Sequence, residues 1–205
     1  MPSVVTLEGL LDTRRVWRGP AAVSVSDSCY STGLPELDAA LPGGGWPGSA
    51  LSEILVTEVG TGELRLLWPA LARLTQAGER VVLIGPDHQP YPQAWLAAGV
   101  DLMYLSIVRA KSRDVLWAAE QCLRSGSCGA VVCWPRDVDD RSLRRLQVAA
   151  ETGQTLAFTF RPIQASLNAS PAAVRLAVDT HPAQLRVLKC RGGIASARPI
   201  AAGWQ

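Results

Sequence analysis

Two glycines that follow a short apolar run are the residues of this sequence best placed for phosphate chemistry. Leu51 to Val56 predicts a buried strand, and Gly60-Thr61-Gly62-Glu63-Leu64 follows it closely. A strand, a glycine loop and a helix N-terminus together form a cradle for phosphate groups. The phosphate-loop pattern places a Lys and then a Ser or Thr after its last glycine. Glu63 and Leu64 stand there instead, so a carboxylate replaces the cation and an apolar side chain replaces the magnesium ligand.

The elements that would position this loop alternate along the chain. Apolar patterning predicts helices over 35–41, 63–77, 91–98, 112–124 and 141–152, with a kink at Pro69. It predicts strands over 51–56, 81–84, 102–107, 130–133 and 155–160, followed by late strands over 173–179 and 184–189. The segment 194–200 is a last strand or a tail. This order predicts an α/β fold whose largely parallel sheet is flanked by helices and ends in a C-terminal antiparallel extension.

Composition narrows the class of protein. The 205 residues are 48% hydrophobic and 19% charged, which suits one globular domain with a substantial core. The net charge of +2 is too small for a protein that depends on phosphate contacts for its affinity. Five scattered Cys without C-x-x-C spacing, and only two His, argue against a zinc site and a disulfide framework. No apolar leader or membrane-spanning segment is evident, so we expect a cytoplasmic protein without membrane contact. We also expect neither a cofactor nor a metal.

The residues around the loop resemble a known ATPase core. Thr32 to Asp38 reads TGLPELD, Leu41 to Pro47 reads LPGGGWP, and the strand Leu51 to Val56 and the glycine loop follow. This run resembles the opening of RecA-type recombinases. Because Glu63 replaces the loop Lys, the chain is most similar to the ImuA family, which is also labelled SulA-like or translesion DNA synthesis-associated. Members are degenerate RecA-like proteins of the bacterial SOS mutasome.

The resemblance implies that the chain has two regions and that it has no enzyme activity. Residues 1–30 would form an N-terminal helix and linker, and residues 31–205 a RecA-like domain with a degenerate phosphate loop. Asp87 and His88 would be a vestigial acid turn, although an ordinary Asx-type turn after a strand is the explanation we favour. The strand that ends at Cys133 should be followed by a magnesium-binding Asp, but Trp134 follows. The vestigial loop is Gly60, Gly62, Glu63 and Leu64.

The resemblance also implies partners. The chain would be a non-catalytic adaptor in SOS-induced translesion synthesis, DNA repair and mutagenesis. It would bridge an ImuB-like pseudo-polymerase and the alpha subunit of an error-prone replicative polymerase, with RecA and self-association left open and DNA contacted weakly or indirectly. Two alternatives remain: a nucleotide-binding RecA-like ATPase that acts on DNA, and an SOS cell-division inhibitor.

Two surfaces are candidates for partner binding. The first is an amphipathic N-terminal helix over 4–17, and the second is the basic C-terminal end, which a solvated sheet edge would explain as well. The candidate residues are Leu7, Leu10, Leu11, Trp17, Arg186, Lys189, Arg191 and Arg198. The Arg-rich helix over 141–152 is a further charged face that solvent alone could explain.

Overall fold

An eight-stranded mixed sheet with helices on both faces forms the centre of the molecule. A computed structural model describes residues 29–60, 62–180, 182–195 and 198–203. A separate two-stranded ribbon pairs β1 Cys29–Tyr30 with β2 Trp46–Pro47. The strands of the large sheet are β3 Leu51–Val56, β4 Val81–Ile84, β5 Leu105–Val108, β6 Ala130–Cys133, β7 Leu156–Pro162, β8 Val174–Thr180, β9 Ala183–Cys190 and β10 Ile200–Ala201. Their order across the sheet is β10-β9-β8-β3-β7-β6-β4-β5.

The six strands from β8 to β5 are parallel to their neighbours, while β9 pairs antiparallel with β8 and β10 antiparallel with β9. The predicted α/β architecture, with a parallel sheet and an antiparallel C-terminal extension, is therefore confirmed. Among the described residues, only Ile200 and Ala201 pair with β9 at this end of the chain, so the strand predicted over 194–200 is much shorter than expected. The strand predicted over 102–107 begins as a 3₁₀ turn, Leu102–Tyr104, where the Asp101 side chain accepts a hydrogen bond from the Met103 N–H.

Five helices of the described chain pack on the sheet, and they divide between its faces. They are α1 Pro35–Ala40, α2 Trp68–Gln76, α3 Pro92–Ala97, α4 Ser112–Arg124 and α5 Asp140–Gly153. The core beneath α1, α2 and α3 contains the inward side chains Ile54, Leu83 and Phe158, whereas α4 and α5 cover the opposite face of the sheet. Both faces of the central strands are thus buried, as the continuous apolar runs of β3, β4 and β6 require.

Pro69 begins a helix rather than bending one. The predicted helix over 63–77 is divided into a 3₁₀ turn, Glu63–Leu66, and α2, in which Pro69 occupies the second position. Proline suits a helix start because the N–H that it lacks would have no partner there. The glycine loop is therefore followed by a short 3₁₀ turn, and the longer helix starts only at Trp68.

The TGLPELD and glycine motifs have local structural causes. The Asp38 carboxylate accepts hydrogen bonds from the Thr32 N–H at 2.8 Å and the Ser31 hydroxyl at 2.6 Å, which folds the chain back onto α1. Leu34 is the residue that precedes the first turn of α1. At Gly45, a Cβ would lie 2.3 Å from the Tyr30 carbonyl oxygen. Glycine is therefore required there by the close approach of the two chain segments.

Candidate functional site

A crevice runs along the carboxyl ends of the central strands. It consists of three adjoining hollows with cavity volumes of about 450, 390 and 380 Å³. Asp87 and Trp134 line all three, so these two residues stand where the hollows meet. Ligands of open α/β sheets bind in the crevice outside the carboxyl ends of the strands. The crevice is therefore the leading candidate for a binding site in the described residues.

The glycine loop at one end of the crevice is closed by its own carboxylate. Gly60 and Gly62 have φ values of +86° and +103°, a region that favours glycine. The loop thereby turns the Glu63 side chain inward, where it is buried. The Gly60 N–H donates to Glu63 Oε1 at 2.9 Å. A backbone donor of the kind that would bind a phosphate oxygen is thus satisfied by a residue of the loop itself.

The predicted loop and acid turn lie side by side. A Cβ built on Gly60 would lie 3.2 Å from Cδ2 of His88, so the two segments are in contact. Asp87 Oδ1 accepts a hydrogen bond from the Arg136 guanidinium at 2.9 Å. Leu64 packs partly buried against the core next to α2. The structure therefore brings together all six residues that the sequence predicts for a vestigial site, and it pairs Asp87 with a cation.

Aromatic side chains form much of the crevice wall. Trp134 is buried directly after β6, and its ring stacks on Phe160 with centroids 5.2 Å apart and planes 10° apart. The position expected to carry a magnesium-binding carboxylate thus carries a packed indole. Trp68 and Trp95 make an edge contact at 6.3 Å, while Tyr91 lies on the rim and is 67% exposed. Such a surface suits contact with a protein or an apolar group, since aromatic rings supply large contact areas.

A buried ion triad that spans three neighbouring strands of the sheet was not predicted from the sequence. Glu53, in the middle of β3, is completely buried and pairs with the guanidinium groups of Arg161 and Arg175. Both arginines are also buried. The triad joins β3 to its two neighbours, β7 and β8, and the sequence signal for it was a lone carboxylate inside the apolar run Leu51–Val56. A buried charge must be paired, so that carboxylate implied arginine partners.

Arg175 also holds the segment that follows β7. Its guanidinium donates to the carbonyl oxygens of Ala165 at 2.8 Å and Asn168 at 3.0 Å. These residues belong to the segment around the 3₁₀ turn Ile163–Leu167. Leu167 in this segment is 90% exposed. The arginine therefore couples the centre of the sheet to a surface loop.

The basic C-terminal residues are engaged within the protein. Arg186 pairs with Asp179 at 3.1 Å, and Arg191 pairs with Glu151 at 3.3 Å. Lys189 donates to the Ser170 carbonyl at 2.7 Å, and burial, with Arg191 and Arg175 nearby, lowers the pKa of its ammonium group. Arg198 also has an interaction partner. The N-terminal candidates Leu7, Leu10, Leu11 and Trp17 lie outside the described residues, so the partner-binding surfaces stay predictions.

The cysteines are reduced and apart from the crevice wall. All five are free thiols, and complete burial raises the pKa of Cys133 to about 12. In the described part of the chain, no cluster of three or more His, Cys, Asp or Glu side chains is arranged to hold a metal ion. Within the same residues, no helix has the length and apolar character needed to cross a membrane.

Comparison with known proteins identifies the family. The family model described as "Cell division inhibitor SulA" matches residues 49–157, from the start of β3 to the beginning of β7. The chain belongs to the SulA family. This segment contains the glycine loop, the Asp87-His88 turn and Trp134. The crevice is thus built mostly from the part of the chain that defines the family membership.

Individual relatives have the same description. The cell division inhibitor SulA of Edwardsiella piscicida is 32% identical over 124 residues, which are 56% of this chain and 72% of that protein. SulA of Photorhabdus laumondii is 29% identical over 113 residues, or 54% of this chain and 63% of that protein. The crystal structure of SulA from Pseudomonas aeruginosa shares 27% identity and covers 56% of this chain and 98% of its own, with a TM-score of 0.47.

The SulA family match corrects the sequence-based identification. The assignment to the ImuA family is wrong, and the terms translesion synthesis and RecA-like pseudo-ATPase have no support in the comparisons. The TGLPELD and LPGGGWP motifs, on which the assignment depended in part, precede the matched segment, and hydrogen bonds to Asp38 and close packing at Gly45 explain them. The glycine loop and Glu63, on which it also depended, lie inside that segment. The comparisons likewise do not confirm a RecA-like core, so only the mixed α/β architecture is established.

Proposed function

We propose that this protein is a cell-division inhibitor that acts by binding a protein of the division machinery. The observation that carries the proposal is the match of residues 49–157 to the SulA family, whose curated relatives are named as cell division inhibitors. An SOS cell-division inhibitor was one of the alternatives that the sequence left open. We therefore expect DNA damage to induce the synthesis of this protein. The ImuB-like, polymerase and RecA partners remain untested expectations.

The geometry of the crevice supports inhibition by binding rather than by catalysis. Glu63 is buried and accepts a hydrogen bond from the Gly60 N–H, where an ATPase would present donors to phosphate. A bound triphosphate would have to displace this carboxylate, and the two negative charges would repel each other. The crevice wall instead offers tryptophan, tyrosine and arginine side chains, which are enriched among the residues that dominate protein contacts. We therefore propose the crevice as the surface that binds the division protein.

Expression in a rod-shaped bacterium tests this function. Cell length and DNA content are measured by microscopy after induction, in a host that lacks its own division inhibitor of this kind. Long cells with regularly spaced nucleoids are the expected result, because division stops while growth and replication continue. A control expresses the Arg175→Met variant, which is expected to be unstable. Cells of normal length at a high level of folded wild-type protein would contradict the proposal.

A further inference from the structure

A solvent-exposed tryptophan lies between the two helices on the face away from α1 and α2. Trp117 in α4 is 63% exposed and borders a shallow hollow of about 280 Å³ formed with α5. Leu116 and Leu146 provide the apolar part of the hollow, and Arg113 and Arg145 lie beside them. None of the lining residues of this hollow lines the crevice. The α4–α5 hollow is therefore a separate surface feature of the described chain.

The charges around the hollow are arranged by one buried carboxylate. The Glu120 carboxylate is buried between the helices and pairs with the guanidinium groups of Arg145 and Arg124, the latter at 3.1 Å. One carboxylate thus orients two arginines and neutralises one of their charges. Arg113 is 81% exposed and has a partner only in its chain neighbour Asp114, at 3.5 Å, among the described ion pairs. The rim of the hollow keeps a net positive charge next to an exposed indole.

We propose that the α4–α5 hollow binds an acidic segment of a partner protein, with an apolar side chain placed against Trp117. Carboxylates of the segment would pair with Arg113 and Arg145, whose guanidinium groups can bind a carboxylate through two N–H donors. Tryptophan and arginine are the residues that most often dominate protein interfaces. The positive rim gives the charge complementarity, while Leu116 and Leu146 give the apolar contact. This surface goes beyond the proposed division function and does not depend on it.

The observations favour a protein partner over a nucleic acid. Single-stranded nucleic acid is usually bound by several aromatic side chains on which successive bases stack, along a groove that is strongly positive. Trp117 is the only exposed aromatic side chain on α4 and α5. Asp114, Glu120 and Asp140 already pair with arginines of the two helices. Affinity that depends on phosphate neutralisation would need a larger uncompensated charge.

Fluorescence anisotropy with a synthetic probe tests the proposal. The probe is a fluorescein-labelled peptide in which glutamates surround a central Leu-Phe pair. Comparison peptides replace the glutamates by lysines or the Leu-Phe pair by serines, and a labelled oligo(dT) of similar mass represents single-stranded DNA. The variants are Trp117→Ala and Arg113→Glu, both of exposed residues. Tyr91→Ala and Arg109→Glu are matched controls, because they remove an aromatic ring and reverse a charge at the crevice.

The proposal predicts saturable binding of the acidic Leu-Phe peptide only. Trp117→Ala and Arg113→Glu should each weaken that binding about tenfold, whereas the two control variants should bind like the wild type. Circular dichroism confirms that each variant is folded. Failure of the wild type to bind at millimolar peptide, equal binding by the Trp117→Ala variant, or preference for oligo(dT) would each overturn the proposal. Cell length on expression of the same variants is a separate readout, so failure of the division function would be recognised independently.

Discussion

Glu63 Oε1 accepts a hydrogen bond from the backbone N–H of Gly60 at 2.9 Å, across a loop of the shape that binds phosphate. The carboxylate is buried and stands directly after Gly62. The phosphate-loop pattern has a Lys at this position, and the Glu that stands there accepts a hydrogen bond from the loop itself. An acid at this position occupies a backbone N–H that could otherwise donate to a phosphate oxygen, and its negative charge repels phosphate.

The Glu63→Ala substitution should destabilise the protein. Loss of the carboxylate leaves the Gly60 N–H without this acceptor, and a hydrogen bond to a charged group contributes about 1.5–3 kcal/mol. Urea unfolding followed by circular dichroism measures the change in the free energy of unfolding. Glu36→Ala, at an exposed position in α1, is the matched control and should change it by less than about 0.5 kcal/mol. Equal effects of the two substitutions would contradict a structural role for Glu63.

The Arg175→Met substitution should be among the most damaging single changes. It leaves Glu53 with one buried partner and removes the donors to the Ala165 and Asn168 carbonyls. Breaking a buried ion pair in this way costs about 3–5 kcal/mol. Arg186→Met is the control, because Arg186 is half exposed in its pair with Asp179 and should cost about 1 kcal/mol or less. The same urea measurements compare them, and a small loss for Arg175→Met would show that the triad contributes little.

The Cys133 thiol should make stability depend on pH at the alkaline end. Its pKa rises from 9.0 in the unfolded chain to about 12 in the folded protein, because burial disfavours the thiolate. The folded state therefore keeps a proton that the unfolded chain loses, so this contribution is intact below pH 9 and is lost as the pH rises towards about 12.

The Cys133→Ala variant isolates that effect from other titrating groups. Between pH 9 and 12, the free energy of unfolding of the wild type should fall more steeply with pH than that of the variant, by at most about 1.4 kcal/mol per pH unit. Chemical denaturation at several pH values measures both slopes. Parallel slopes for the two proteins would mean that Cys133 does not titrate as its burial predicts. The cavity left by the smaller side chain lowers the variant's free energy of unfolding by the same amount at every pH, so it does not change the comparison of slopes.

The Tyr91→Ala substitution should weaken division inhibition without unfolding the protein. Tyr91 lies on the crevice rim and is 67% exposed, so its ring is available to a partner and contributes little to the core. Loss of an aromatic anchor at an interface commonly weakens binding tenfold or more. Cell length at equal protein abundance is the measurement. Leu167→Ala, at another exposed apolar position outside the crevice, is the control, and equal loss of activity in both variants would argue against the crevice.

The fold was predictable because its strands are short, apolar and separated by clear helix signals. Ala130–Cys133 and Val81–Ile84 were placed to the residue, since continuous apolar runs of this length fit strands buried on both faces. The kink predicted at Pro69 was wrong, because a proline inside a periodic apolar pattern fits both a kink and a helix start. Tertiary contacts, which the sequence does not display, decide between them.

The candidate site was predictable only in part. Gly60, Glu63, Asp87 and His88 follow predicted strands, and parallel strands bring their carboxyl ends together. The Glu53 triad was missed because Arg161 and Arg175 lie far from Glu53 in the chain, and their proximity depends on the order β7-β3-β8. The family was misjudged for a different reason. The motifs at 32–47 and Glu63 in the glycine loop together resemble a degenerate ATPase, whereas the family model matches residues 49–157.

Binding of the purified protein to purified components of the bacterial division machinery, with and without Mg-ATP, tests the central claim most directly. We predict saturable binding to one component without nucleotide, unchanged by Mg-ATP and weakened by Tyr91→Ala. Labelled ATP should itself show no saturable binding, because Glu63 occupies the loop donor. Binding that requires Mg-ATP, or no binding to any component by a protein that is folded, would contradict the claim that this SulA family member inhibits division by occupying a protein partner.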